Sequence, residues 1–221
     1  MGRRAAFGPG ARPARILSAR EGYAAWAPNY PPYAHNQLME VEQNAVVPLL
    51  QIAAPRRALD AGTGTGRYLP MLVAAGARFV VGLDLSLAML TRERGSGRRV
   101  CGDACRLPFN DATFDLVCAS LMVGDLKDVG GWTREATRVL RPGGHLVYSD
   151  FHPSWVSERW RRTFRAIDGR EYELTYFPHQ IGDHLEQLSL SSMQVRTVRE
   201  PKIVGVSAPV VVVFHAVRSG A

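Results

Sequence analysis

The chain has 221 residues, 46% of them apolar and 21% charged, the balance of a soluble globular protein with room for one decorated α/β domain but not comfortably for two. The net charge of +7 raises nucleic acid as a partner, yet five of the positive charges (Arg3, Arg4, Arg12, Arg15 and Arg20) fall in an acid-free stretch at residues 1–20, and the body is close to neutral. No apolar run reaches the ~18 residues of a membrane span, no apolar signal core follows Met1-Gly2-Arg3-Arg4, and Cys101, Cys105 and Cys118 form an odd set without zinc spacing that suits a reducing cytoplasm.

In chain order, Ile16–Ala27 reads as a short helix that Pro28, Pro31 and Pro32 end in an extended loop. Residues 36–53 carry Leu38, Val41, Ala45, Val46, Leu49 and Leu50 at helical spacing, with Pro48 expected to bend or shorten that helix. Strands are then expected at Arg56–Ala61, Arg78–Asp84, Arg98–Cys101, Phe114–Ala119 and Gly144–Phe151. Helices are expected at Arg67–Ala75, Leu85–Arg94 (with Ser86 as cap) and Trp132–Leu140, the last stopped by Arg141-Pro142-Gly143-Gly144. Residues 152–192 interrupt the alternation with six aromatic side chains, and Val195–Pro201 and Pro209–Val217 read as two final strands. Strands alternating with ~10-residue helices give a parallel, doubly wound α/β sheet with right-handed crossovers.

One stretch organises this pattern: Ala58-Leu59-Asp60-Ala61-Gly62-Thr63-Gly64-Thr65-Gly66-Arg67-Tyr68. A strand ends on a carboxylate, glycines alternate at 62, 64 and 66, and a helix begins, the arrangement with which α/β folds hold nucleotide-type ligands. A dinucleotide fingerprint requires its third glycine at position 67, where this chain has arginine, and that argues against a nicotinamide oxidoreductase. Three further sites fall at strand ends: Asp84, placed to accept two ribose hydroxyls; Gly102-Asp103-Ala104; and Ser120-Leu121-Met122.

The segments LDAGTGTGRY, VVGLDLS, GDACRLPF, FDLVCASLMVGDL and EATRVLRPGGHLVYSDFHP, in this order, resemble the class I S-adenosylmethionine (SAM) dependent methyltransferases, in the small-molecule branch that includes the ubiquinone and menaquinone C-methylases and the malonyl-carrier O-methylases. The resemblance covers roughly residues 56–153. It implies a Rossmann-like, mostly parallel seven-stranded sheet in the order 3-2-1-4-5-7-6. It also implies one domain over 1–221: a flexible basic arm (1–18), lid helices (19–55), a cofactor-binding core (56–151), a substrate-covering insertion (152–192) and terminal strands (193–221). The roles it implies are position-specific. Asp60 with Gly62, Gly64 and Gly66 holds the methionine part of SAM; Asp84 takes the ribose hydroxyls; Leu85 packs on the adenine. Asp103 and Ala104 meet the adenine edge, Ser120 and Leu121 line the wall near the sulfonium, and Tyr23 reaches the carboxylate end. Relatives often carry His or Asn where this chain has Asp125, which leaves that residue without an assigned role.

A methyl acceptor with a high pKa needs a base. His152, in Asp150-Phe151-His152-Pro153 just past a strand end, is one candidate, with strand alternation expected to place it beside Asp150; a turn histidine before proline is the competing reading. His35 is the second candidate, and His179 and His184 lie in the insertion. No metal is expected. The expected partner is a small-molecule substrate rather than nucleic acid, and the reading admits a homodimer. Two alternatives stay open: an RNA methyltransferase using the basic arm, and a SAM-binding protein or cyclase on the same fold that does not methylate.

Overall fold

The structure, a computed structural model, describes residues 15–92 and 97–220. Most of the basic arm, residues 1–14, and the expected end of the helix at Arg94 lie outside the described residues. The first element is a strand, β1 (Ile16–Leu17), and the helix α1 (Ala19–Trp26) begins only after it. Ser18 causes the difference: its hydroxyl accepts from the Glu21 N–H while the Glu21 carboxylate accepts from the Ser18 N–H, a capping box that fixes the helix start. After a 3-10 turn at Ala27–Asn29, α2 (Gln37–Ala53) starts at Asn36, whose side chain accepts from the Met39 N–H at 2.9 Å. Pro48 sits inside α2 without ending it. The buried stripe Leu38, Met39, Val46, Leu49 and Leu50 anchors the helix on both sides of the proline, and packing of this kind outweighs one lost backbone bond.

The core continues with β2 (Arg57–Ala61), α3 (Leu69–Ala74), β3 (Phe79–Asp84), α4 (Leu87–Arg92), β4 (Arg98–Cys101), β5 (Phe114–Ala119), a 3-10 turn at Val123–Asp125, α5 (Val129–Val139) and β6 (Leu140–Phe151). Two boundaries differ from expectation for local reasons. α5 begins three residues before Trp132 because the Asp128 carboxylate caps it, accepting from the Gly131 N–H at 2.8 Å. β6 begins four residues before Gly144: Leu140 already pairs with Phe114, and the register then jumps to His145 opposite Leu116. Arg141–Gly144 are thus an irregularity within a strand rather than a helix stop. The chain ends with α6 (Ser154–Ser157), β7 (Thr163–Arg165), β8 (Glu171–Leu174), α7 (Ile181–Leu190), β9 (Met193–Arg199) and β10 (Val211–Arg218).

Seven strands form one sheet in the order β4-β3-β2-β5-β6-β10-β9. Numbered among themselves in chain order they run 3-2-1-4-5-7-6, parallel from β4 to β6, with β10 antiparallel to both β6 and β9. Alternate residues of each strand feed two separate apolar layers. Leu59, Val117, Leu146, Tyr148 and Phe214 pack with Trp132 of α5 and Leu188 of α7 on one face, while Ala58, Leu116, Val147 and Val213 pack with α2 and α3 on the other. A second sheet, β1-β8-β7, is not legible in the sequence: β1 pairs in parallel with β8, so the N-terminal segment and the insertion after β6 are joined in one cap. Among the described residues no helix is long and apolar enough to cross a membrane.

Candidate active site

The carboxyl ends of β2, β3, β4 and β5 converge on one cavity, at the point where the strand order reverses. Open α/β sheets bind ligands at such a point. The turn after β2 forms the floor. Gly62 and Thr63 both donate N–H bonds to the Leu83 carbonyl (2.8 and 2.9 Å), which ties the turn to the end of β3. The Gly64 N–H donates to Asp84 Oδ2 at 2.8 Å, and the Ser86 N–H donates to Asp84 Oδ1 at 2.8 Å. Gly64 has φ +56°, and a Cβ there would meet no atom within 4 Å; it would stand in the cavity itself, where a ligand has to approach the main chain. Gly66 does not border the cavity. A Cβ there would lie 2.9 Å from the Arg99 guanidinium, so this glycine serves packing.

Four carboxylates face the cavity, Asp60, Asp84, Asp103 and Asp125, against two guanidinium groups, Arg20 and Arg67. Asp60 is buried and half satisfied: Oδ2 accepts from the Thr63 hydroxyl at 2.6 Å, while Oδ1 has no hydrogen-bond partner among the described residues. Burial pushes its carboxyl up to about 7, although the Thr63 bond and Arg67 work in the opposite direction. Burial also raises Asp84, opposed by backbone N–H donors, Ser86 first and then Gly64. Asp103 accepts from the Cys105 N–H at 2.8 Å and so shapes the turn that carries buried Ala104.

The wall after β5 rests on a buried carboxylate that sequence reasoning missed. Glu42 of α2 has no exposed surface and accepts from Arg67 (3.0 Å), Tyr68 (2.8 Å), Ser120 (2.8 Å) and Ser149 (2.7 Å). Ser149 in turn accepts from the Leu121 N–H at 3.0 Å, and Leu121 is held at φ +52°. A leucine in left-handed backbone is strained, and the Glu42 network holds it there against the cavity. The sequence signal was present: an acid at position 42 interrupts the apolar stripe between Leu38 and Val46.

A second buried pair ties the loop after β5 to the cap. Arg162, from the insertion, bonds Asp125 Oδ1 at 2.6 Å and donates to the Tyr23 hydroxyl at 3.0 Å, with its guanidinium 4.4 Å above the Phe151 ring. Burial raises the Tyr23 phenol well above its usual value, and the Asp125 charge adds to the effect. Asp125 is therefore a cavity-wall residue whose charge is paired from across the cap.

Residues 59–148 match a family model described as a methyltransferase domain. The chain is 32% identical over 165 residues to the demethylmenaquinone methyltransferase of Streptomyces griseus, an alignment that covers 68% of this chain and 71% of that one. The chain belongs to the class I SAM-dependent methyltransferases. A second demethylmenaquinone methyltransferase, from Mycolicibacterium gilvum, is 40% identical over 105 residues, but the match spans only 46% of this chain and 45% of that relative. The fold matches the crystal structure of a SAM-dependent methyltransferase from Mesorhizobium loti with a TM-score of 0.66 at 23% identity, covering 80% of this chain and 98% of that one.

The cavity has an acid excess in its lining and an unpartnered buried oxygen on Asp60. Of the residues singled out from sequence, Tyr23, Asp60, Gly62, Gly64, Asp84, Leu85, Asp103, Ala104, Ser120 and Leu121 all line the cavity. The two candidate bases do not. His152 lies beyond the end of β6, where its Nδ1 accepts from the Ser154 N–H (3.1 Å) and its Nε2 pairs with Glu200 (2.8 Å). The alternation that would bring it beside Asp150 stops at Phe151, because the β6–β10 ladder ends there at Val211. His35 bonds the Tyr33 carbonyl at 3.3 Å and packs edge-on against Trp26 and Tyr30, behind the wall. Among the described residues no group of His, Cys, Asp and Glu could hold a metal.

Proposed function

We propose that this chain binds SAM in the cavity and transfers its methyl group to a small-molecule acceptor. The observation that carries the reading is the unpartnered, buried Oδ1 of Asp60 beneath an open glycine turn, with Asp84 at the end of the next strand. In this reading Asp60 and the Gly62 and Gly64 backbone receive the methionine part of the cofactor. Asp84 receives the ribose hydroxyls, and Leu85, Asp103 and Ala104 enclose the adenine. Ser120 and Leu121 border the sulfur, and Tyr23 stands at the amino-acid end. SAM, when bound, supplies a methyl group on a positive sulfur. The protein's part is to orient the acceptor in line with that bond and to exclude water, and orientation alone is worth ~7–11 kcal/mol of barrier. The similarity to demethylmenaquinone methyltransferases supports a small acceptor over a nucleic acid. Three unpaired cysteines support a reducing compartment, the cytoplasm.

Calorimetric titration with S-adenosylhomocysteine tests the binding site, and release of that product from SAM in the presence of hydroxylated aromatic acceptors tests the transfer. A protein with no measurable affinity for either compound is incompatible with the proposal.

A further inference from the structure

The ion pair on the loop after β5 is an oriented dipole. Asp125 and Tyr23 border the cavity, whereas Arg162 lies behind them in the cap and reaches the cavity through them. The Asp125 and Arg162 side chains are only 7 and 6% exposed, so the charges act on one another through little solvent. The guanidinium is fixed from several sides. One arm holds Asp125 Oδ1, the other the Tyr23 oxygen, and its central carbon stands 4.4 Å from the centre of the Phe151 ring. The Arg162 carbonyl accepts from the Leu174 N–H at 2.8 Å, which builds the arginine into the cap as well. The negative end of the dipole thus meets the cavity and the positive end is withdrawn from it. A buried ion pair is often no more stable than apolar side chains of the same volume, so one set in a cavity wall points to the field it creates there.

The neighbours of Asp125 show where that field acts. Asp125 ends the 3-10 turn Val123–Asp125, and its N–H donates to the Met122 carbonyl at 2.9 Å, which ties it to the wall after β5. Met122 packs in turn against the glycine turn: a Cβ on Gly62 would sit 2.5 Å from Met122 Cγ. The Asp84 carboxyl is raised mainly by burial and further by the charge on Asp125, which places the two acids near one another across the cavity. The space between the glycine turn, Asp84 and Asp125 therefore faces two carboxylates. A group seated there is favoured when it is positive.

Resting on the SAM reading above, we propose that Asp125, held by Arg162, faces the sulfur of the cofactor and lets the site distinguish the sulfonium of SAM from the neutral thioether of S-adenosylhomocysteine. Arg162 is a positioning residue in this assignment. It aims the carboxylate and supplies the cation that a buried carboxylate needs, so the wall attracts positive charge without adding net charge to the interior. Asp125 then attracts the reactant more than the product, which favours exchange of one for the other after transfer.

The test is calorimetric titration of the full chain with SAM and with S-adenosylhomocysteine, two ligands that differ by one methyl group and the charge on sulfur. The ratio of their affinities is the readout, because a loosened wall weakens both alike whereas loss of the field weakens SAM. Asp125→Asn keeps the shape of the side chain and an oxygen for Arg162 but removes the negative charge. It should lower SAM affinity about tenfold more than S-adenosylhomocysteine affinity. Arg162→Met leaves the carboxylate buried without a cation, where it takes up a proton, and should lower the ratio in the same way. Arg162→Lys returns a cation to the same place and should recover most of the ratio. Equal losses for the two ligands, or a ratio unchanged in Asp125→Asn, would overturn the assignment, and a ratio unchanged in Arg162→Met would remove Arg162 from it. Should the single variants not fold, the double variant Asp125→Asn, Arg162→Met decides, since replacing both members of a buried pair is often neutral for stability. In it an unchanged ratio rejects the proposal, and a ratio lowered about tenfold upholds it. Wild type that binds neither ligand would refute the cofactor site and this assignment with it.

Discussion

The two walls of the cavity are built on different principles. On the side of the glycine turn, most placing contacts are short in sequence, Asp60 to Thr63, Asp84 to Ser86 and Asp103 to Cys105, and the longest, Gly64 to Asp84, spans twenty positions. On the cap side the contacts cross most of the chain, Tyr23 to Arg162, Asn29 to the Arg165 carbonyl, Leu17 to Thr175. The difference teaches that on the proposed reading cofactor recognition in this chain is mainly a property of turns, whereas the wall formed by the cap is a property of assembly. Glu42 joins the two, because a helix of the N-terminal segment supplies the carboxylate that holds Arg67 and Ser120 of the core.

The largest effect is therefore expected at that junction. Glu42→Ala leaves the buried Arg67 charge without its partner, and breaking such a pair costs ~3–5 kcal/mol. For a chain of this length each kcal/mol moves the melting temperature by ~2–4 °C, so thermal unfolding should shift down by roughly 6–20 °C. A shift below about 2 °C would show that the network contributes little and that the walls are independent.

Asp84→Ala should act chiefly on ligand, although it also frees the Gly64 and Ser86 N–H groups. The ribose hydroxyls lose a charged acceptor, worth ~1.5–3 kcal/mol, so calorimetry should show S-adenosylhomocysteine affinity reduced by roughly tenfold or more. An unchanged dissociation constant would remove Asp84 from the cofactor site.

Asp60 sharpens the contrast through pH. Burial raises its carboxyl from an ordinary 3.8 to about 7 in the free protein. A cationic ligand favours the carboxylate, so binding releases a proton below pH 7, and SAM affinity should rise as pH increases toward 7 and level off above it. The same sign makes Asp60's contribution to the stability of the free protein greatest below pH ~4 and lost as pH rises through 7. Asp60→Asn should flatten the affinity profile. A variant with the wild-type slope would assign the proton to another group.

The smallest expected change concerns the cap. Tyr23, Trp26, Tyr30 and Tyr33 form a segment rich in rings and proline with a small core of its own, four buried residues in contact with Tyr23 and Trp26. Segments of this kind order on ligands. Hydrogen exchange of residues 20–40 should slow when S-adenosylhomocysteine is added, while β2 and β5 stay unchanged. Equal protection with and without ligand would make the cap a fixed wall.

Much of the core was legible because its determinants are local. Alternating apolar residues, glycines at 62 and 64 and carboxylates at strand ends specify strand, turn and polarity within a few residues of one another. His152 was misplaced for the opposite reason. Alternation along β6 lasts only as far as Phe151, because the sheet partner that sustains it comes from β10, sixty residues on. Glu42 announced itself only as an acid in an apolar stripe, without saying which groups it would meet.

By itself, then, the sequence determined the doubly wound sheet, its strand order through the family resemblance, and many of the side chains that border the cavity. Tertiary structure decided that Ile16–Leu17 is a strand, that Asp125 and Arg162 neutralise one another, that Glu42 organises one wall, and that Asp150 meets His184 in the interior. The physical reason is the range of the forces involved. Backbone conformation and capping act over a few residues, whereas a buried charge must find its partner wherever folding brings one, here across 25 to 107 positions for Glu42.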